Sequence, residues 1–447
     1  MKNEPSKTIA IDEKSDKSFL YNAECLAEIN AKSDEIIERN DYVNEFFIYF
    51  VIPFIEKTSQ LNNKNEDALS IENKLGDYFK SVFLGIYLFW IAMFYVIAMP
   101  LYLLFRFRVI EGDSLEADSL VVIHSPAVYS KILFVKKQGV KFYSDSLVYK
   151  PPEVDLSLYS QSLLTRLTGI LVIPWLGLKN FFVIFVMANR HLGFVSAVNV
   201  LSYYRKRLAH KVTFEFYLNK LLERAKPDTF YTGNKEDRFA LIEKRLCNKN
   251  GIKMVCIPHG LEYAFKVPAG LAGDIFYCNS QYAKEYLKKL YSHSETEFIF
   301  DINIASQMFS KHVAIQKEKQ IVFFPESREP EKNLVIIQFL RAKNVKFLVK
   351  LHIKDSLDNY RPFIDESVLI NDFDEAISNS ICLARKSTVL LEAIYNNSIP
   401  IAVLVDGKDR AYFKFMFPAL NDEGIRKAHS FEELQSLLEK RLKDNNV

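Results

Sequence analysis

Cysteine is scarce and scattered in this chain: five in 447 residues, at positions 25, 247, 256, 278 and 382, with no paired spacing. That argues against a disulfide scaffold or a zinc site and fits a reducing cytoplasm. An excess of one charge is missing too. The 58 lysines and arginines stand against 55 acidic residues, a net of +3, so nothing points to nucleic acid as a partner. No glycine-rich phosphate loop of either common type occurs, and no aspartate pair of the kind that holds a metal–nucleotide complex. A metal site is therefore not expected. The first forty residues are polar and acidic, so no cleavable signal peptide is expected either.

What is present is apolar. Hydrophobic residues make up 49% and aromatics 14%, which excludes a disordered chain. From Ser81 to Phe105 no charge interrupts the run, with Lys80 before it and Arg106 and Arg108 after it. A bilayer crossing takes about twenty such residues. A second stretch, Leu167 to Asn189, is broken only by Lys179. Buried helices of a large domain would read the same way. An interfacial attachment would place Arg106, Arg108, Lys136, Lys137 and Lys179 against anionic headgroups.

The rest alternates short apolar strands with helical segments. In the C-terminal half the strands are read at Gln320–Pro325, Lys346–Leu351, Ser367–Ile370, Ser380–Ala384 and Pro400–Val405. Helices are read at Asn333–Arg341, Thr388–Asn396 and Ser430–Leu442. The N-terminal half shows the same grammar, with strands at Ser119–Ile123, Val140–Tyr143, Thr229–Tyr231, Ile252–Ile257 and Asp274–Cys278. The pattern predicts an α/β protein with two doubly wound, Rossmann-like domains of parallel strands. The expected division is a polar helical extension over 1–80, an apolar membrane-associated segment over 81–110, an N-terminal domain over 111–315 and a C-terminal domain over 316–447.

Ligands of such sheets bind outside the carboxyl ends of the strands, and two histidines fall there. Ile257-Pro258-His259-Gly260 ends one strand, and Glu262 follows closely enough to face the same pocket. A histidine held in one tautomer by a carboxylate is a general base at neutral pH. Capping of the next turn is the plainer role. Lys350-Leu351-His352 ends a second strand, where His352, with Lys350 or Lys354, could meet phosphate; a solvated basic loop is the alternative. Arg385-Lys386-Ser387-Thr388 precedes a helix, and hydroxyls and backbone amides there suit an anion. Glu392 in that helix is placed for a ribose hydroxyl or is a surface glutamate. Arg328, after the strand Gln320–Pro325, could pair with phosphate.

Strand-His-Gly, then Pro-x-x-Arg at 325–328, then Lys-Leu-His, then Ser-Thr before a helix with glutamate, in that order, resembles the two-domain GT-B glycosyltransferases. The pattern is similar to bacterial capsule, polysialyltransferase-like and CDP-glycerol glycerophosphotransferase enzymes, over roughly 228–442. The resemblance implies His259 as base. It implies His352, Ser387 and Thr388 at the nucleotide phosphates and Glu392 at the donor ribose. Ile353 stands where those families have proline, and Ser387-Thr388 where they have two serines. The activity implied is metal-independent transfer of a sugar from a nucleotide donor, of the CMP- or CDP-linked kind, with no further cofactor. The acceptor would be a lipid-linked or polysaccharide chain, built into capsule or lipopolysaccharide at the cytoplasmic face of the bacterial inner membrane. A sugar-nucleotide epimerase of the same fold and a non-catalytic membrane assembly protein are the rival readings.

Overall fold

The structure is a computed structural model that describes residues 75–107, 117–154, 156–235, 239–264, 271–310, 319–327, 329–353, 355–415 and 417–444. The polar extension read over 1–80 lies outside them up to residue 74.

The first helix among the described residues is α1 (Leu75–Arg106), which begins six residues ahead of the uncharged run. Then come β1 (Ser119–Ile123), α2 (Pro126–Ile132) and β2 (Lys141–Ser144). Two long helices follow, α3 (Leu163–Leu192) and α4 (Phe194–Ala225), turning at Gly193. The first sheet is completed by β3 (Thr229–Thr232), α5 (Ala240–Asn250), β4 (Lys253–Cys256), β5 (Ile275–Tyr277), α6 (Gln281–Leu290) and β6 (Glu297–Ile299). The helix α7 (Ile302–Phe309) then leads to the second sheet. That sheet is built from β7 (Gln320–Phe324), α8 (Pro330–Ala342), β8 (Leu348–Val349), α9 (Phe373–Ile377) and β9 (Ser380–Ala384). It continues through α10 (Val389–Ile394), β10 (Ile399–Val403), α11 (Gly407–Phe415), β11 (Arg426–Ala428) and α12 (Phe431–Asp444).

All pairings are parallel, and both sheets wind alike. The first has the order β2-β1-β3-β4-β5-β6, the second β11-β10-β9-β7-β8. In each the chain goes from its first strand to one side and returns to the other, leaving a switch point between β1 and β3 and between β7 and β9. Side chains alternate across a strand, and here the alternation feeds two cores per sheet. Leu120 and Val122 face a core shared with α1, α3 and α4, while Val121 and Ile123 face α2 and α7. In the second sheet, Ile321, Phe323, Ile381 and Leu383 face α8 and α12, and Val322, Phe324, Cys382 and Ala384 face the opposite layer. Each such fully buried side chain contributes about 1.5–3 kcal/mol. These are two doubly wound, Rossmann-like domains.

Two expected strands come out differently. Ser367–Ile370 is mostly a 3-10 turn, Glu366–Val368, with only Leu369 bridging Val349. The Asp365 carboxylate accepts from Ser367 N at 2.9 Å, a local bond that competes with the ladder. Lys346–Leu351 pairs only over Leu348–Val349, so His352 stands three residues past the strand end.

The domains share apolar packing. One core joins Phe276, Ala283 and Leu287 to Leu391, Ala419 and Leu420, and Tyr263 stacks on Phe417 with centroids 5.8 Å apart. Outside the sheets, α1 and α3 pack antiparallel, with Phe89 against Phe181 and Gly177 against Val96. Their outer surface is apolar: Phe83, Trp90, Phe94, Leu171 and Trp175 are each at least 67% exposed. Both are long and apolar enough to cross a membrane, and their most apolar windows are only 22% and 33% buried.

Candidate active site

At the second switch point the loops after β7, β8 and β9 enclose a cavity of about 510 Å³. It is lined by Glu326 and Ser327, by Lys350 and His352, and by Lys386 and Ser387, with Phe324 and Phe373 as an aromatic wall. Lys350, His352 and Ser387 are thus brought together, as the strand-end reading expected. The walls are tied from behind. Asn333 Nδ2 donates to the Glu326 carbonyl at 2.7 Å and to Tyr360 Oη at 3.0 Å, and Tyr360 donates to Asp355 at 2.7 Å. That buried chain fixes the 325–327 loop against the 352–355 loop.

Beneath the floor lies a charge cluster. Arg385 is almost fully buried and donates to Asp409 and, at 2.8 Å, to Glu329. Lys386 Nζ donates to Asp409 at 3.0 Å and Glu329 at 3.1 Å, and its backbone N to Glu326 at 2.8 Å. Burial would raise the Glu329 carboxyl, but Lys332 and Arg385 outweigh it and bring it down to about 2. Glu329 holds φ 61°, in the left-handed region, where a side chain is strained. Burial pushes the Glu326 carboxyl up, against the pull of Lys386 and Arg385.

Several expected residues are therefore placed otherwise. Arg385, expected at a phosphate, is spent on Asp409 and Glu329 and lies under the cavity instead of lining it. Thr388 is the residue before α10 and makes no capping bond with its side chain, whereas Ser387 accepts from Val389 N at 3.3 Å. Glu392 points at the other domain, where Lys131 of α2 pairs with it at 2.9 Å. Arg328 and Lys354 lie outside the described residues.

His259 stands on the first domain, after β4. Its Nδ1 is 2.6 Å from the Gly233 carbonyl, and its backbone N donates to the same oxygen at 3.1 Å. A carbonyl only accepts, so Nδ1 carries the proton and Nε2 presents a lone pair. The orienting partner is thus Gly233 and not Glu262, a correction to the sequence reading. Glu262 is fully buried and takes the Asn279 N–H at 2.5 Å, while Asn279 Nδ2 donates to the Gly260 carbonyl at 3.1 Å. Burial pushes the Glu262 carboxyl up, opposed by the bonds from Asn279. Together they brace the His-Gly loop from below. A Cβ on Gly260 would meet nothing nearer than Lys235 Cε at 4.0 Å, so the loop leaves open space beside His259.

The first switch point is filled. His124, after β1, is bound by Asp145 at 3.3 Å and by Glu243 at 2.8 Å, and stacks on Phe239 at 3.9 Å. Asp145 also bonds His210 at 2.9 Å and Tyr159 at 2.7 Å, and Thr232 donates to Glu243 at 2.6 Å. Burial would lower the His124 imidazole, yet the bonds to Asp145 and Glu243 raise it to about 9. His124 and Asp145 fall just past the ends of the strands read at Ser119–Ile123 and Val140–Tyr143; His210, midway along α4, and Glu243, in the first turn of α5, carry no such signal in the sequence.

No family model matches the chain, and no curated protein does. Among solved structures it is similar to the UDP-GlcNAc 2-epimerase from Neisseria meningitidis bound to UDP-GlcNAc, at 13% identity and a TM-score of 0.42, over 73% of this chain and 90% of that one. The two-sheet fold stands on its own strand order and register. Among the described residues no cluster of His, Cys, Asp and Glu is arranged to hold a metal ion.

Proposed function

We propose that this chain is a glycosyltransferase that moves a sugar from a nucleotide donor to a growing bacterial capsule or lipopolysaccharide chain. The observation that carries the reading is the open crevice at the second switch point, which gathers Lys350, His352, Lys386 and Ser387 beside an aromatic wall. Basic and hydroxyl side chains there suit the donor's phosphates, and Phe324 and Phe373 suit the flat base or ribose. A CMP- or CDP-linked donor remains the proposal. Lys350 would meet the charge that grows on the leaving phosphate, and Lys386 would join it only after parting from Asp409 and Glu329. Arg385 would act at one remove, by holding Glu329 and Asp409 under the floor. Glu392 would reach a ribose only after parting from Lys131.

His259 supplies the base. The acceptor hydroxyl oxygen forms the new bond to the anomeric carbon, and its proton passes to Nε2. The bond from that carbon to the phosphate oxygen breaks, with its electron pair leaving on the nucleotide. Apolar packing between the domains would keep water from competing for the donor. The exposed faces of α1 and α3 would rest on the cytoplasmic face of the inner membrane, where a lipid-linked acceptor is found. The contrast between helices supports this: exposed residues of α4 include Asn199, Lys206, Glu223 and Arg224, all polar, while those of α1 and α3 are mostly apolar, with charges at Lys80, Arg106, Lys179 and Arg190.

The test is a thermal-shift titration with CMP, CDP, UDP and GDP, followed by turnover of the sugar nucleotide that fits. A rise with one nucleotide, lost in His352→Ala, supports the donor site. Turnover that needs an acceptor and fails in His259→Asn supports transfer. Turnover without acceptor would make the protein an epimerase, and no shift with any nucleotide would leave the assembly role.

A further inference from the structure

A second cavity, of about 650 Å³, lies between α3, α4 and α5, apart from every residue discussed so far as reactive. Its walls differ in kind. Leu164, Val172 and Leu176 of α3 form one, and the first two continue the exposed apolar face of that helix. Lys220, Arg245 and Lys249 form the other. Around it four cations meet two carboxylates: Lys211 and Arg245 pair with Glu215 at 3.0 and 2.8 Å, and Lys220 and Lys249 with Glu223 at 2.7 and 3.5 Å. Both carboxyls are held below their usual range against the effect of burial, Glu215 by Lys211 and Arg245, Glu223 by bonds from Lys220 and Asn219. Lys211 is fully buried and does not line the cavity; without it three cations stand against two carboxylates, a surplus of one.

The helix α5 starts beside the carboxyl end of β3 and ends at Gly251, where β4 begins. Arg245 and Lys249 belong to its latter half. The cavity thus lies toward the end of the sheet opposite His259, and what it holds is not the reacting acceptor.

We propose that this groove seats a membrane phospholipid with an anionic phosphate headgroup, the head against Lys220, Arg245 and Lys249 and the acyl chains along α3. The argument for that occupant is charge complementarity and continuity: Leu164 and Val172 belong both to the cavity wall and to the exposed apolar residues of α3, with Leu167 and Leu171 exposed on the same helix. The inference rests on the membrane contact of α1 and α3 proposed above.

The test is co-sedimentation of the full chain with phosphatidylcholine vesicles and with phosphatidylcholine–phosphatidylglycerol vesicles. The wild type should prefer the anionic vesicles, and Lys220→Gln/Lys249→Gln should lose about thirtyfold of that preference, as expected for two cations near an anionic surface. Its binding to phosphatidylcholine and its melting temperature should not change. Lys288→Gln/Lys289→Gln, which removes the same charge from the exposed side of α6, should keep the preference. Equal loss in both doubles, or none in the first, overturns the groove. A melting rise with inorganic phosphate that vanishes in Lys220→Gln/Lys249→Gln overturns the lipid in favour of a soluble anion. Failure of the wild type to bind either vesicle overturns membrane contact as well, whereas equal binding to both leaves that contact standing and overturns only the groove.

Discussion

The two sheets are wound alike, yet their switch points hold opposite things. Between β7 and β9 the crevice is open, about 510 Å³, with its charged groups lining the wall or tied beneath the floor. Between β1 and β3 the same crevice is stopped by a bonded chain, Glu243 to His124 to Asp145 to His210, with Phe239 stacked on His124. Winding therefore creates a place for a ligand without deciding that it is used. Side-chain size and pairing decide that, and in the first sheet the half-buried His259 stands at the end of β4, the strand beyond β3.

The largest expected effect comes from unplugging the first crevice. Asp145→Asn leaves His124 and His210 without their shared carboxylate and should cost about 3–5 kcal/mol in urea denaturation, as loss of one partner of a buried pair does. If the cost is under about 1 kcal/mol, the plug is not structural. Next is pH. His124 is raised from 6.5 unfolded to about 9 folded. Its stabilisation is then full below pH 6.5 and fades as pH rises through 9, about 3 kcal/mol over that window at about 1.4 kcal/mol per unit. Melting temperature should fall across it, and the fall should shrink in His124→Gln.

Glycine separates the two roles more finely. A Cβ at Gly233 would lie 2.6 Å from Val128 Cγ1, so Gly233→Ala should cost about 1–3 kcal/mol and disturb His259, whose ring hangs on that carbonyl. Gly260→Ala should fold within about 0.5 kcal/mol of the parent and still slow turnover if substrate fills the space beside His259. The smallest effect on stability is expected in the open crevice. His352→Ala should leave the unfolding midpoint within about 0.5 kcal/mol and remove the nucleotide-dependent shift. A destabilised His352→Ala would mean that this crevice is packed like the other.

The winding was legible because burial on both faces makes strands such as β7 unbroken apolar runs, there from Ile321 to Phe324. The edge strands β6 and β11 were not, since Glu297 in one and Arg426 and Lys427 in the other break any apolar run, and the 3-10 turn at Glu366–Val368 was hidden by Asp365 bonding locally. Lys350, His352 and Ser387 were legible as strand-end residues that face one crevice. The partner of His259 was not, because a backbone carbonyl such as that of Gly233 leaves no mark in a sequence. Arg385 and Glu262 misled for a shared reason: a charge near a strand end reads the same whether it meets a ligand or a buried neighbour 2.5–3 Å away.

One helix has a mechanical meaning. α4 runs 32 residues without proline or glycine, where α1 and α3 each contain a proline. At 1.5 Å per residue it is a rod of about 48 Å. Its first turns are clasped by α1 and α3, with Phe194 against Tyr78 and Phe185, and its middle carries His210 onto Asp145. With no hinge to absorb a tilt, a change in the seating of α1 and α3 is levered straight into the packing behind β1 and β3, and from Gly233 to His259. The bilayer on this view sets the angle of the base, and thinning or curving it should be felt in turnover before it is felt in binding.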